Sequence, residues 1–371
     1  MTSTLARRQF LAGSLATACT AVNGHGLFGS LPAGAATLNV PEVDRLTVSV
    51  LLDSSHDIFL APQQVAGIQM QRARPAAFPR ILHNQWGLSL LLESQRADQA
   101  RTLMLDFGYS AEALLNNIEI LGVDPRKIEA LIVSHGHYDH FGGLIGFLQK
   151  YRDVLPADLT LYSGGEHTFC HRYNRTPVQG QFSDFGVLDR RELANRQVKL
   201  LLAEQATPMG SHAFSTGAIK RTSFEQVLAN TMVEYKIENG LGCDAAKFGA
   251  TDKQNQVVPD EHNHEHATCF NVKGKGLVVI TSCGHAGIIN TIRQAQDVSG
   301  VRKLHALLGG FHLGPAKPEY AAQSVAELKT LEPDVVIPMH CSGLGFVQEV
   351  RNQMPDKLLL STTGSRMTFT S

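Results

Sequence analysis

The sequence predicts a layered α/β domain. Two observations carry this. Short, wholly apolar runs recur along the chain with helical stretches between them, and nearly every run ends in an acid, a cysteine or a histidine. In layered α/β proteins, reactive groups gather at the carboxyl ends of strands, so the second observation points to a site as well as to a fold.

The elements follow in order. Residues 46–52 read as a strand ending at Asp53-Ser54-Ser55, 87–93 as another, and 102–105 as a third that ends at Asp106-Phe107-Gly108. A helix is expected over 110–121. The apolar run 130–133 has the composition of a buried strand and stops at Ser134, where a histidine motif begins. Phe141-Gly142-Gly143 then leads into a helix with apolar positions Leu144, Phe147 and Leu148. The stretch 155–259 holds polar turns and weak strands and allows no boundaries to be drawn. Beyond it the pattern sharpens: strand 276–282 ending at Cys283-Gly284-His285, helix 287–295, strand 304–308 ending at Gly309-Gly310-Phe311-His312, helix 318–331, and strand 334–338 ending at Met339-His340-Cys341. No internal repeat or linker interrupts 37–371, which reads as one domain.

With 43% hydrophobic residues in 371, a sizeable core is available, and a formal net charge of −1 lacks the basic excess of a nucleic-acid binder. The expected partner is a small-molecule substrate. The first 36 residues read differently. Arg7-Arg8, the apolar stretch 11–22 and the Ala-x-Ala-like site at Ala33 and Ala35 make a secretory signal of twin-arginine (Tat) type. The expected address is therefore a bacterial periplasm or exterior, with the Tat export machinery as a partner. The apolar stretch is too short for a permanent anchor, Cys19 sits in a poor lipidation context, and no membrane association is expected once the signal is removed. Five cysteines remain after it, Cys170, Cys243, Cys269, Cys283 and Cys341. They are too widely spread for a disulfide framework, and their odd number leaves at least one thiol free.

His135-x-His137-x-Asp139-His140 packs four potential ligands into six residues. Imidazole nitrogen and carboxylate oxygen suit zinc and its neighbours among divalent ions. His135 and His137 are placed to serve one ion, with Asp139 and His140 available to a second. One or two divalent ions, zinc foremost, are expected.

This motif, straight after an apolar strand, resembles the signature of the metallo-β-lactamase superfamily. The resemblance implies a four-layer αβ/βα sandwich with the site at one edge of two sheets. Asp106-Phe107-Gly108 is similar to the Asp-Thr-Gly of an early strand in that family, departing from it at Phe107. Thr216-Gly217-x-Ile219-x-Arg221, Cys283-Gly284-His285-Ala286-Gly287-Ile288, Gly309-Gly310-Phe311-His312-Leu313 and Pro338-Met339-His340-Cys341-Ser342-Gly343 resemble one branch, the 7,8-dihydropterin-6-methyl-4-(β-D-ribofuranosyl)-aminobenzene-5′-phosphate synthase-like proteins. The likeness runs from about residue 48 to the C-terminus.

The resemblance implies three further ligands: a histidine, a bridging aspartate and a final histidine. His340 fits the last. At the bridging position the strand ends in Ser282-Cys283 instead of Gly-Asp, so Cys283, or His285 two residues on, takes that place, with His285 preferred. For the remaining histidine, Glu261-His262-Asn263-His264-Glu265-His266 lies in the right region, with His266 the best-placed member and His264 the alternative. Asp139 and His312 are the expected catalytic residues, Asp139 positioning the nucleophile and His312 stabilising developing charge. Asp53 is expected to orient a ligand histidine. Glu166, His167, His171 and Arg172 either line the substrate mouth or form an exposed helix face, the latter preferred.

A metal-dependent hydrolase acting on a small ester, lactone or phosphoester is the leading expectation. The alternatives are a transferase of the synthase type, which an exported protein is badly placed to be, and a non-hydrolytic metal-binding or redox protein. Di-iron members of the superfamily carry Glu where this chain has His137, which argues against the redox version. β-Lactam hydrolysis is only a fold analogy.

Overall fold

Strand Ala130–Val133 shows how the layers arise. Its side chains alternate between faces. Ala130 and Ile132 join a core that also holds Val278, Ile280, Leu308 and Ile337, while Leu131 and Val133 pack into a second core with Leu114, Phe147 and Leu148. Strand Gly276–Thr281 does the same from the other side, with Val278 and Ile280 in the shared core and Leu277 and Val279 packed with Ile289, Val325, Phe346 and Val350. Two sheets thus face one another across a common core, and helices cover both outer faces: a four-layer αβ/βα sandwich, as the sequence predicted. Each fully buried Leu or Ile contributes ~2 kcal/mol over an exposed one.

The computed structural model describes residues 37–73, 78–228 and 231–371, all within one compact unit spanning 36–371. The predicted signal segment, 1–36, lies outside the described residues. Among the described residues one sheet has nine strands, in the order 199–202, 160–163, 130–133, 99–105, 89–96, 45–52, 365–370, 68–72, 63–65. The facing sheet has seven, running 207–209, 213–215, 268–272, 276–281, 304–310, 335–339, with 42–43 paired to 268–272. The strands 130–133, 276–281, 304–310 and 335–339 are buried along their whole length and pair in parallel with a neighbour. That is why they read in sequence as unbroken apolar runs rather than alternating ones.

The helices fall close to their predicted places, at Ala111–Ile120, Leu144–Tyr151, Ile288–Ser299 and Pro318–Thr330. Ser110 caps the first, accepting from the Ala113 N–H. The helix Leu344–Gln353 was not foreseen. No helix among the described residues is long and apolar enough to cross a membrane.

The illegible stretch 155–259 holds a third, four-stranded sheet, ordered Phe182–Gly186, His171–Arg175, Thr231–Glu234, Val257–Pro259. It has its own small core of Cys170, Val233, Tyr235, Cys243 and Ala245, tied by a Cys170–Cys243 disulfide. Cys269, Cys283 and Cys341 are free thiols. The expected exposed helix face at 166–172 is corrected: Glu166–Phe169 is a buried 3-10 turn, and Arg172 is fully buried at the start of a strand.

Candidate metal centre

The carboxyl ends of the strands meet at one edge of the two sheets. Asp53, Asp106, the 134–140 loop, Cys283, His285, His312, His340 and Cys341 all follow strand ends there, and the loop 260–266 closes over them. Four of these residues, Asp106, His262, His312 and His340, hold positive φ between 44° and 57°. For side chains other than glycine this backbone costs about 1–3 kcal/mol each and persists where surrounding structure enforces it, characteristically at functional sites.

Asp106 organises the first histidines. Its carboxylate accepts from the Ser134 N–H at 2.8 Å and the Ser134 hydroxyl at 2.7 Å, and meets His140 Nδ1 at 2.7 Å. His140 therefore carries its proton on Nδ1, leaving Nε2 as a lone pair facing inward. Because the Ser134 hydroxyl already donates to Asp106, it accepts from His135 Nδ1, 2.9 Å away. That leaves His135 Nε2 as a bare lone pair as well, fully buried and without a hydrogen-bond partner among the described residues. Asp139 Oδ1 and His312 Nε2 are buried and unpartnered in the same way.

The ligating atoms crowd together. Those of His135, Cys283 and His285 lie within 4.8 Å of one another, as do those of His137, His262 and His285, of His140, Cys283 and His340, and of Cys283, His312 and Cys341. Cys283 Sγ belongs to three of these sets, 3.1 Å from Cys341 Sγ and 3.6 Å from His312 Nδ1. His140 Nε2 and His340 Nε2 face each other at 3.3 Å, and Asp139 Oδ2 is 3.2 Å from the latter. Facing lone pairs at that distance require a proton or a cation between them.

Electrostatics fits this picture. Burial, reinforced by neighbouring histidines, pushes His135, His137 and His285 well below the ordinary histidine range, and His262 down to about 3. Neutral imidazoles with exposed lone pairs are the form that binds metal. His340 is the exception. Burial opposes its charge, but the Cys341 sulfur and the Asp139 carboxylate outweigh that and hold it up at about 9. Asp139 is depressed despite its burial, chiefly by His140 and His340. The donor set of imidazole nitrogens, carboxylate oxygen and thiol sulfur suits zinc or a related divalent ion, and the orphaned atoms of His135 and Asp139 point the same way.

The structure brings His135, His137, Asp139, His140, Cys283, His285, His312 and His340 together, with both Cys283 and His285 in the cluster. It does not bring His266. Its Nε2 donates to the Val133 carbonyl at 3.1 Å and its Nδ1 accepts from Ser215 at 2.8 Å, so the ring pins two loops and has no lone pair to offer. His264 is elsewhere too. Its Nε2 accepts from the Gly136 N–H at 2.9 Å and from Arg172 at 3.1 Å, so its Nδ1 donates to His167, which donates onward to Tyr235. The histidine of this loop that enters the cluster is His262, stacked on His285 at 3.9 Å between ring centroids. Three histidines at alternate positions go three ways because the backbone turns at His262 (φ 51°), which spacing alone does not reveal.

Arg172 braces the motif from behind. It pairs with the buried Asp260 at 2.7 Å and packs so closely on the motif loop that a side chain at Gly136 would collide with its guanidinium. Asp53 holds the last histidine through the main chain, accepting from the His340 N–H at 2.8 Å, while Ser54 meets His340 Nδ1 at 3.0 Å. Glu265 accepts from the N–H groups of His285 and Ala286 and fixes the loop that carries Cys283.

Over the cluster lies a cavity of about 230 Å³ lined by His137, Asp139 and His312 on the metal side. The third sheet supplies Arg175, Phe185 and Thr231 to its other wall.

Residues 87–162 match the family model of the Metallo-beta-lactamase superfamily. The chain is 27% identical, over 70% of its length and 82% of the relative's, to 7,8-dihydropterin-6-methyl-4-(beta-D-ribofuranosyl)-aminobenzene-5'-phosphate synthase of Methanocaldococcus jannaschii. It is 24% identical to an uncharacterized protein of the same archaeon, over 70% of this chain and 84% of that one. Among solved structures it resembles Tm1679, a metal-dependent hydrolase of the beta-lactamase superfamily, with a TM-score of 0.62 and 21% identity over 86% of this chain and 98% of that one. The family likeness thus lies in residues 87–162, which hold the histidine motif, and the likeness to the solved structure is one of fold.

Proposed function

We propose that this chain is an exported, metal-dependent hydrolase of an ester, lactone or phosphoester. The observation that carries the reading is the set of buried, unpartnered polar atoms in the cluster, His135 Nε2, Asp139 Oδ1 and His312 Nε2, with Asp139 and His312 lining the cavity above it. His135, His137, His262 and His285 would hold one ion, and Asp139, His140 and His340 a second, with the Cys283 thiol within 4.8 Å of His135 and His285 and of His140 and His340. When bound, the ions supply a nucleophilic hydroxide near neutral pH and polarise the scissile group.

The rest is the work of the chain. Asp139, which lines the cavity, accepts a hydrogen bond from the attacking water and so orients it. His312 faces the cavity from a rigid strand end and stabilises charge developing on the substrate oxygen. Arg175, at the opposite wall, makes no ion pair with any described residue and is placed to meet an anionic group on the substrate. Burial of the cluster excludes bulk water and strengthens each of these interactions.

Export rests on the Arg7-Arg8 signal and is supported by the Cys170–Cys243 disulfide, since such bonds persist in oxidising compartments. The second reading is synthesis of the product named for the archaeal relative, favoured by the 27% identity to it.

The deciding experiment measures metal content of protein isolated from the periplasm, then assays esters, lactones, phosphodiesters and β-lactams before and after chelation. About two zinc ions with chelator-sensitive hydrolysis is the expected result. Formation of a dihydropterin–aminobenzene ribose phosphate product without hydrolysis would establish the synthase reading instead.

A further inference from the structure

A second cavity opens on the far side of Trp86 and His340. It measures about 830 Å³, far larger than the space over the metal cluster, and the two share Trp86, His340 and Cys341 as a common wall. The helix Leu344–Gln353 forms one side of it. Phe346 and Val350 of that helix are fully buried in the core, whereas Leu344, Val347 and Arg351, spaced three and four apart, line the cavity. Leu344 is 88% exposed and Trp86 58% exposed. The helix therefore turns Phe346 and Val350 to the core and Leu344 and Val347, flanked by Gln348 and Arg351, to this space. Leu360 contributes the facing wall.

A predominantly apolar cavity of this size that shares its wall with a reactive centre is built for part of a ligand. Trp86 sits at the junction, its ring 4.9 Å from that of His340. A group stacked on Trp86 would reach the cluster on one side and the cavity on the other. From Leu344 to Arg351 the lining face runs about 10 Å at 1.5 Å per residue, roughly the length of an extended eight-carbon chain.

We infer that the substrate carries an apolar acyl or aryl arm that lies along Leu344–Gln353 while its scissile group sits over the metal cluster. This rests on the hydrolase reading and narrows it to amphiphilic substrates. The lining that the two cavities share, Trp86, His340 and Cys341, is what commits the larger space to a substrate arm reaching over Trp86.

Gly345 gives the means of testing it. Gly345 lines the cavity and a Cβ there meets no atom within 4 Å, so Gly345→Trp adds bulk to the lining without a clash at its Cβ. Two readouts separate the arm site from the chemistry. The first is fluorescence titration of 11-(dansylamino)undecanoic acid into wild-type and variant protein, with and without chelation. The second is the ratio of kcat/KM for p-nitrophenyl octanoate over p-nitrophenyl acetate. The probe is expected to bind wild type with or without metal. Gly345→Trp is expected to weaken that binding and to lower the ester ratio, each by about tenfold or more, given ~0.8 kcal/mol per buried methylene. Leu344→Arg, which places a charge on the same face, should act in the same direction.

Loss of probe binding in Gly345→Trp with no ester cleaved by either protein would retain the arm site and reject the hydrolase reading. Probe binding that is absent in wild type, or unchanged in both variants, overturns the inference. So does a wild-type dimer that Gly345→Trp converts to monomer without affecting the probe, because the face would then be a subunit contact.

Discussion

The carboxylate of Asp106 lies 2.7 Å from His140 Nδ1 and 2.7 Å from the Ser134 hydroxyl, both fully buried, and through Ser134 it also reaches His135. One acid thus sets the tautomers of two candidate ligands. Asp106→Asn keeps the shape but can no longer take up the proton-bearing nitrogen as strongly. We expect metal affinity to fall roughly 10–100-fold, as is usual when such a supporting carboxylate is lost. Competition with a chromophoric chelator measures this, and unchanged affinity would reject the arrangement.

The two loop histidines His262 and His266 make opposite predictions. His262→Ala should lower the bound-metal count or affinity while leaving thermal stability of the stripped protein nearly unchanged. His266→Ala should leave metal content intact and destabilise the fold by ~2–4 kcal/mol, since it empties a buried ring that bonds to Val133 and Ser215. Elemental analysis alongside urea melts separates the two; the reverse outcome would restore His266 as the ligand.

Cys283 and His285 both reach the cluster, and sulfur can be distinguished from nitrogen spectroscopically. Cobalt-loaded protein should show a thiolate-to-cobalt charge-transfer band in the near ultraviolet, and Cys283→Ser should remove it and weaken metal binding. A band that survives in Cys283→Ser but disappears in Cys341→Ser would move the sulfur ligand to its neighbour.

The Cys170–Cys243 bridge closes a 73-residue separation. Cys170→Ser with Cys243→Ser should cost about 4 kcal/mol by the chain-entropy argument. Because the bridge ties the small third sheet, its loss should raise hydrogen exchange at Val233 and Tyr235 before that at Ile132 or Val278. Uniform exchange across all four would argue against a separately stabilised sheet.

Export is tested by Arg7→Lys with Arg8→Lys. Retention of the full-length chain in the cytoplasm is expected, and secretion at the normal level would remove the twin-arginine reading.

Legibility in sequence followed burial. Strands such as 130–133 and 276–281 are enclosed on both faces and announced themselves as apolar runs, and the groups after them, His135 through His140, Cys283, His312 and His340, were found because strand ends share an edge. The third sheet went unread because its strands are short, and Phe182–Gly186 and Val257–Pro259 are largely exposed, so no periodic apolar signal survives. His262 was missed because a left-handed turn, not a spacing, sends it inward. Arg172 reads in sequence as part of an exposed helix face because its compensating partner, Asp260, is 88 residues away in the chain.

The third sheet has its own core and its own covalent tie, yet it delivers Arg175, Phe185 and Thr231 to the mouth above the cluster. One small sheet thus lines the mouth with some of its side chains and supports the reactive loop with others. Specificity is therefore best altered at Arg175 and Phe185 alone, because Arg172 and Thr231 of the same sheet reach back to the motif, the first packing on Gly136 and the second meeting His137 Nε2 at 2.9 Å.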